Sequence, residues 1–383
     1  MISPTVDRKQ SLEALDWLRF PMALCVIFIH SYGARVANCA HVVADPLSWE
    51  SFYDIVRIFC SRVFPGFAVP TFFLISGYLF FLNMRQWDWH CYGVKLRRRV
   101  STLLIPYLGW NVFHCLHLSW STLMKIFRGQ ADWSRLWSLW HRFGDFRMFW
   151  DGHVNQPIYD NILGIPMPFT APVLAPLWFL RDLMIVVLLA PLIYWLLRRC
   201  GKWLLALLSL CFLFNVWLPF HGTSATCTFW FSLGAYHSIQ GLDLVASMRR
   251  RRTLAYPVAL ASMALLLCLR SSNPGPDSVG LRVLNSVYVL SSSVSAVSLA
   301  GAIRSKGWLR WPQWLVGSTF FIYVSHIFVR KQVLRLFLPI FRSGSYPSKL
   351  VAYLSVPLLT AAACVAVYQA WQWFRRTFFL STH

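Results

Sequence analysis

LDWLRFPMALCVIFIHSYG, residues 15–33, is the stretch on which the fold turns. It is close to the roughly 20 residues that a helix needs to cross a bilayer. Its apolar residues run on without the alternation of a half-buried strand. In lipid every backbone N–H and C=O must pair internally, which leaves only helices and closed barrels, and a run of this kind selects the helix. Polar residues precede it and the apolar character continues through a full span, so it reads as a membrane anchor and not as a cleavable leader.

The same pattern recurs along the chain. Further apolar segments cover roughly residues 64–83, 102–121, 175–197, 203–220, 224–240, 254–270, 282–303, 313–333 and 349–371. Composition agrees: charged residues are 13% of the chain, against about 25% in an ordinary soluble domain. Apolar residues reach 57%, and the 20 Trp and 14 Tyr suit membrane–water interfaces, where a ring is half dry and half wet. The expected fold class is therefore all-α: a polytopic transmembrane helical bundle of about ten spans. It forms a single integral membrane domain over residues 1–383, with no linker, second soluble domain or internal repeat.

Basic clusters orient the bundle. Arg97–Arg99 follow the second span, Arg198, Arg199 and Lys202 the fourth, and Arg249–Arg252 the sixth. Arg304, Lys306 and Arg310 follow the eighth, and Arg375 and Arg376 the tenth. The connections 219–225 and 271–278, of opposite parity, hold no Lys or Arg. Positive charge favours the cytoplasmic side, so both termini are expected there. Residues 35–63 and 122–174 are the sizeable outer segments. The second of these and the stretch from Arg330 to Lys349 are basic against the pattern.

The formal charge of +22 fits the same rule together with attraction to anionic membrane lipids. A polyanionic cytoplasmic substrate is the sharper alternative. Nucleic acid is not expected, because the basic residues are scattered between spans. The ten Cys include Cys25, Cys115, Cys211, Cys268 and Cys364 in apolar runs, where Cys behaves as a small hydrophobe. His114 and His117 form an HxxH with no acidic neighbour and no third ligand, so no metal is expected.

Three ionisable residues stand in the first span: Asp16, Arg19 and His30. Such groups are expensive in lipid and usually face the bundle interior. Eleven residues of helix bring His30 to within about 20° of the face of Arg19 and about 16 Å along the axis. One face thus carries a cation near the cytoplasmic surface and an imidazole beyond the membrane centre. Asp16 lies one turn from Arg19, placed to hold it. The plainer reading is a snorkelling Asp16–Arg19 pair with His30 in the outer headgroup zone.

The pattern LDxLRxxxxxxxxxxH resembles the start of the membrane acyltransferase-3 family, whose signature is an Arg and a His separated by ten residues. Four more segments match that family in order: VPTFFLISGYLFF (69–81), KLRRRVSTLLIPYLGW (95–110), LWFLRDLM (177–184) and STFFIYVSHIFV (318–329). The resemblance implies transfer of an acyl group, acetyl in the first place, from cytoplasmic acyl-coenzyme A to a hydroxyl. The acceptor would be an envelope glycan or a lipid-linked saccharide, and the setting a multi-pass protein of the bacterial cytoplasmic membrane. It gives His30 the part of general base or acyl carrier, since neutral imidazole works near neutral pH. Arg19 would contact the donor, and Asp16 would support it.

Other residues acquire expected roles on the same basis. Lys95, Arg97, Arg98 and Arg99 stand on the expected cytoplasmic side to hold coenzyme A phosphates, or serve only to set topology. Ser76 and Tyr78 face a substrate cavity, or allow close helix packing beside Gly77. Trp178 and Arg181 begin the fourth span near the outer face to meet the acceptor, although Asp182 could simply neutralise Arg181. His326 is a second polar group in the cavity, or a hydrogen-bonded structural histidine. A transporter or flippase would also line a passage with such residues, but it usually shows paired, Gly- or Pro-broken spans in matching halves. None is evident here. The intact Arg19–His30 pair argues against a catalytically silent binding protein.

Overall fold

A computed structural model describes residues 4–32, 47–84, 86–152, 158–160, 166–168, 170–218, 222–272, 277–308 and 310–379. Helix α1 spans Pro4–Ser31 and is unbroken through Pro21. Helices α2 (Trp49–Ile58), α3 (Ala68–Phe80), α4 (Trp89–Arg99), α5 (Ile105–Phe127) and α6 (Trp133–Phe143) follow. A short antiparallel pair, β1 (Ile158–Asp160) with β2 (Pro166–Pro168), precedes α7 (Trp178–Leu188), α8 (Ala190–Cys200), α9 (Lys202–Leu213) and α10 (Ala225–Ile239). The chain ends with α11 (Leu244–Arg250), α12 (Arg252–Ser272), α13 (Val279–Ser305), α14 (Gln313–Gly317), α15 (Thr319–Ser343) and α16 (Tyr346–Phe379).

Each predicted apolar segment is helical over most of its length. Among the described residues, four helices are long and apolar enough to cross a membrane: Trp49–Phe80, Arg252–Ser272, Val279–Ser305 and Tyr346–Phe378. A fifth is added if α7 and α8, bent by 63° at Leu189, form one broken span. The bend falls where Pro191 enters the first turn of α8 and cannot extend the ladder of α7. Helix α9 has 12 residues, about 18 Å at 1.5 Å per residue. It therefore stops short of the predicted 203–220, at a turn in which Asn215 takes φ 52°.

Residues 49–63, expected in an outer segment, belong instead to the rod Trp49–Phe80. Ser48 starts it by accepting from the Ser51 amide at 3.2 Å, an N-cap. Tyr53, Arg57 and Ile58 form its buried face. Pro65 lacks an N–H, and the ladder passes through a π turn before it (Phe59–Val63) and a 3-10 turn that contains it (Phe64–Phe67). The irregular stretch is tied down by side chains from other helices. Arg270 donates to the Arg62 carbonyl at 2.6 Å, and Tyr288 Oη donates to that of Phe64 at 2.8 Å.

Two compact units can be distinguished, Met1–Phe72 with Leu242–His383, and Phe73–Gly241. In the first, side-chain pairings fix helix direction. Ser61 donates to the Phe28 carbonyl, and Arg57 Nη1 to that of Tyr32, so the rod runs antiparallel to α1. Glu13 meets Arg304 at 2.6 Å. Tyr256 bonds Ser298 at 3.1 Å, and Arg270 reaches Asn285 at 3.3 Å, making α12 and α13 an antiparallel hairpin. Ala23 and Ile27 of α1 pack with Ile322 of α15 and with Ala361, Cys364 and Val365 of α16. A second apolar layer joins Tyr53, Phe341, Ala352, Tyr353 and Val356, with Phe28, Val333 and Phe337 against it. Helices α1 and α15 are therefore parallel, and α16 is antiparallel to both.

In the second unit, α3 and α10 touch backbone to backbone. A Cβ on Gly77 would strike the carbonyl of Phe231, and one on Gly234 would strike that of Leu74. Only glycine at both positions permits this approach. Buried Asn111 joins α5 to the segment before α7, donating to the Tyr107 carbonyl at 2.8 Å and accepting from the Leu174 amide at 3.2 Å.

Candidate active site

His30 lies one turn beyond Ile27 on α1, and His326 one turn beyond Ile322 on α15. Both imidazoles therefore leave the helices that share this apolar layer and meet each other. Their ring centroids are 5.1 Å apart, with the planes inclined by 39°. His30 is half-buried, whereas His326 is 0% exposed. Nδ1 of His326 lies 2.7 Å from the Tyr323 carbonyl and 3.2 Å from that of Ile322. A carbonyl can only accept, so Nδ1 carries the proton and Nε2 presents its lone pair. That Nε2 is buried without a hydrogen-bond partner among the described residues. One nitrogen of His326 is thus engaged by its own helix, and the other has no hydrogen-bond partner among the described residues.

Arg330 was read in the sequence only as a charge in a basic stretch. It stands one helical turn beyond His326 on α15, within electrostatic reach of both imidazoles. Its Nε and Nη1 are buried without a hydrogen-bond partner among the described residues. The signal was available: residues four apart in a helix share a face, and SHIFVR puts an Arg four places after a His.

Asp16 and Arg19 pair at 3.0 Å with side chains 54% and 36% exposed. The unbroken α1 keeps the predicted spacing between Arg19 and His30. Trp311 stacks on Trp17 at 5.8 Å and meets Phe20 edge-on at 5.4 Å, walling the stretch of α1 that bears Arg19.

The remaining expected residues lie in the second unit. Ser76 is half-buried and Tyr78 buried on α3, on either side of the close-packed Gly77. Lys95 is half-buried, and its ammonium donates to the Phe80 carbonyl and, at 3.4 Å, to that of Leu82. It thereby closes the C-terminus of α3, where a cation is favoured. Burial lowers its pKa from the ordinary lysine value; Cys91 opposes the shift and Arg99 adds to it. Arg97 and Arg98 are exposed and Arg99 half-buried on the last turn of α4. The Lys95 ammonium is thus engaged with backbone carbonyls, whereas Arg97 and Arg98 stand exposed.

Arg181 is buried and paired with Asp182, its Nε and Nη2 lying 3.0 and 2.9 Å from Oδ1. It also donates to the Thr170 carbonyl and hydroxyl at 2.9 and 3.1 Å and to the Trp150 carbonyl. It fastens the segment before α7 to the helix. Trp178 is half-buried beside Phe73, with centroids 6.2 Å apart. Among the described residues, no group of three or more His, Cys, Asp or Glu is placed to hold a metal ion.

Residues 12–371 match the acyltransferase domain that defines the acyltransferase-3 family. The chain belongs to this family, and its long apolar helices are those of an integral membrane protein. It is also similar to succinoglycan biosynthesis protein ExoH of Rhizobium meliloti (strain 1021), 27% identical over 256 residues. That match covers 62% of this chain and 59% of the relative, so the chain spans under two thirds of the relative's length. No solved structure matches it.

Proposed function

We propose that the protein transfers a short acyl group, acetyl in the first place, from cytoplasmic acyl-coenzyme A to a hydroxyl of an envelope glycan or lipid-linked saccharide. The observation that carries this reading is the His30–His326 pair, which sets two imidazoles side by side next to an apolar layer. His30 takes the hydroxyl proton as oxygen attacks the thioester carbon, then returns it to the departing thiolate. The lone pair of His326 Nε2 accepts from a neighbouring hydroxyl of the acceptor and orients it. A saccharide offers such adjacent hydroxyls, and the name of the relative, succinoglycan biosynthesis, points to polysaccharide.

The donor enters from the cytoplasm. Arg19, steadied by Asp16, meets its pantetheine or phosphate end. Arg97, Arg98 and Arg99 take the phosphates from the last turn of α4, and Lys95 on the same helix holds the end of α3. On the acceptor side, Trp178 offers an aromatic face, Arg181 anchors the loop before it, and Ser76 and Tyr78 belong to the same region. The whole chain, 1–383, works as one integral membrane domain of about ten spans, with both termini in the cytoplasm of a bacterial cell. The alternating directions of α1, Trp49–Phe80, α12, α13, α15 and α16 support that topology.

Mass spectrometry of envelope glycans from a deletion strain and its parent tests the proposal. An acyl increment that disappears on deletion and returns with the gene is expected. Glycans and lipid-linked saccharides with identical acylation in both strains would contradict it.

A further inference from the structure

The transfer just proposed leaves one charge unassigned. When the hydroxyl oxygen attacks, the carbonyl π electrons move onto the thioester oxygen, and a site that lowers this barrier must supply a donor there. His30 and His326 are not that donor, because one accepts the proton and the other presents a lone pair. A third group at the pair has neither task. Arg330 sits one turn from His326, and its Nε and Nη1 are buried with no hydrogen-bond partner among the described residues.

A half-buried guanidinium with two nitrogens shut off from solvent and no hydrogen-bond partner for them is costly. Among the described residues the buried arginines have partners: Arg57 meets Asp54 at 3.0 Å, Arg181 meets Asp182 at 2.9 Å and Arg270 meets Asp277 at 2.7 Å. Topology signalling does not account for Arg330 either, since positive charge is disfavoured on the outer side to which α15 leads in the proposed arrangement. A cation kept unpaired beside the reacting base fits a counter-charge that exists only during the reaction.

We propose that Arg330 is a catalytic residue, the donor that takes the negative charge developing on the thioester carbonyl oxygen. The inference rests on the proposed acyl transfer beside His30. In the step, the new C–O bond forms as the carbonyl electrons shift to the oxygen facing Arg330, and the hydroxyl proton passes to His30. The oxyanion then collapses, the C–S bond breaks, and the coenzyme A thiolate leaves with the proton from His30. No oxidant, metal or further reactant is needed.

The test uses full-length protein in membranes of the native strain deleted for the gene, with acetyl- and succinyl-coenzyme A as donors. Arg330→Gln should lower kcat by about 10²–10³-fold with whichever donor the wild type uses, leaving its KM within a few-fold. Arg330→Lys should restore part of the loss. Each variant is compared at equal amounts of monodisperse, correctly inserted protein; Arg330→Lys, which keeps the charge, decides the matter if Arg330→Gln does not accumulate. Loss of succinyl transfer alone, with acetyl transfer intact, would mean that Arg330 binds a carboxylate of the acyl group and would overturn the proposal. So would a pure KM effect, or wild-type rates in Arg330→Gln. Wild-type membranes that transfer neither group would count instead against the acyl-coenzyme A reading on which the inference rests.

Discussion

The imidazoles of His30 and His326 come from opposite ends of the chain and meet with centroids 5.1 Å apart. The contact depends on two parallel helices, α1 and α15, that share one apolar layer through Ala23, Ile27 and Ile322. Each histidine then leaves its helix about one turn above the layer, at the same height. The two rings differ in freedom. His326 is held by its own helix carbonyls, whereas His30 is half-buried, as a group that meets substrate must be.

That difference yields a prediction for His326. His326→Ala removes the Nε2 lone pair but leaves His30 in place. Acyl transfer should fall, with the KM for acceptor rising and the KM for acyl-coenzyme A nearly unchanged. Steady-state kinetics with each substrate varied in turn checks this. A change confined to the donor KM would place His326 on the donor side.

A second prediction concerns the donor. Replacing Arg97 and Arg98 together with Gln should raise the KM for acyl-coenzyme A and leave folding intact, since both side chains are exposed. Lys95→Gln should behave differently, lowering thermal stability, because the carbonyls of Phe80 and Leu82 lose their donor. Hydrogen bonds to charged groups contribute about 1.5–3 kcal/mol. An unchanged donor KM in the double variant, in correctly inserted protein, would sink the phosphate assignment.

Much of the fold follows from the run of apolar segments alone, because a segment in lipid has few conformational choices. The relative placement of Arg19 and His30 was legible because both lie on one unbroken helix, where spacing converts directly into geometry. Arg330 was not, since the sequence shows a charge but not whether a counter-charge lies near it in space. The contact of Lys95 with the end of α3 was not legible for a related reason. Its ammonium turns to the end of α3 only because the chain reverses through Asn83 at φ 66°. Residues 49–63, part of the expected outer segment 35–63, are helical although they carry Glu50, Asp54, Arg57 and Arg62. In the structure Arg57 pairs with Asp54 at 3.0 Å, and Arg62 faces Asp277 at 3.7 Å.

The glycine pair gives a stability prediction. Gly77→Ala and Gly234→Ala each place a methyl against a backbone carbonyl that no rotamer change can move. Each should destabilise the detergent-solubilised protein by at least about 1–3 kcal/mol, read as a lower Tm by size-exclusion thermostability. Ser76→Ala, next to Gly77, should be nearly neutral in Tm. A Gly77→Ala protein as stable as wild type would show that α3 and α10 are not in backbone contact.

Topology is open to direct labelling. Single Cys placed at 97, 199 and 250 in a background lacking reactive thiols should react only with reagents that reach the cytoplasm. Cys at 223 and 277 should react from outside. Labelling of 223 and 250 from the same side would contradict the ten-span arrangement.

The central claim is that His30 is the base. Purified His30→Ala, compared with the unmutated chain for acyl release from acyl-coenzyme A to the acceptor, tests it most directly. The loss should be on the order of 10²–10⁴ in rate, and larger if an acyl-histidine forms, with membrane insertion and donor binding largely retained. Near-normal turnover in His30→Ala would contradict the account and move the base to His326, whose Nε2 is the other free lone pair at the site.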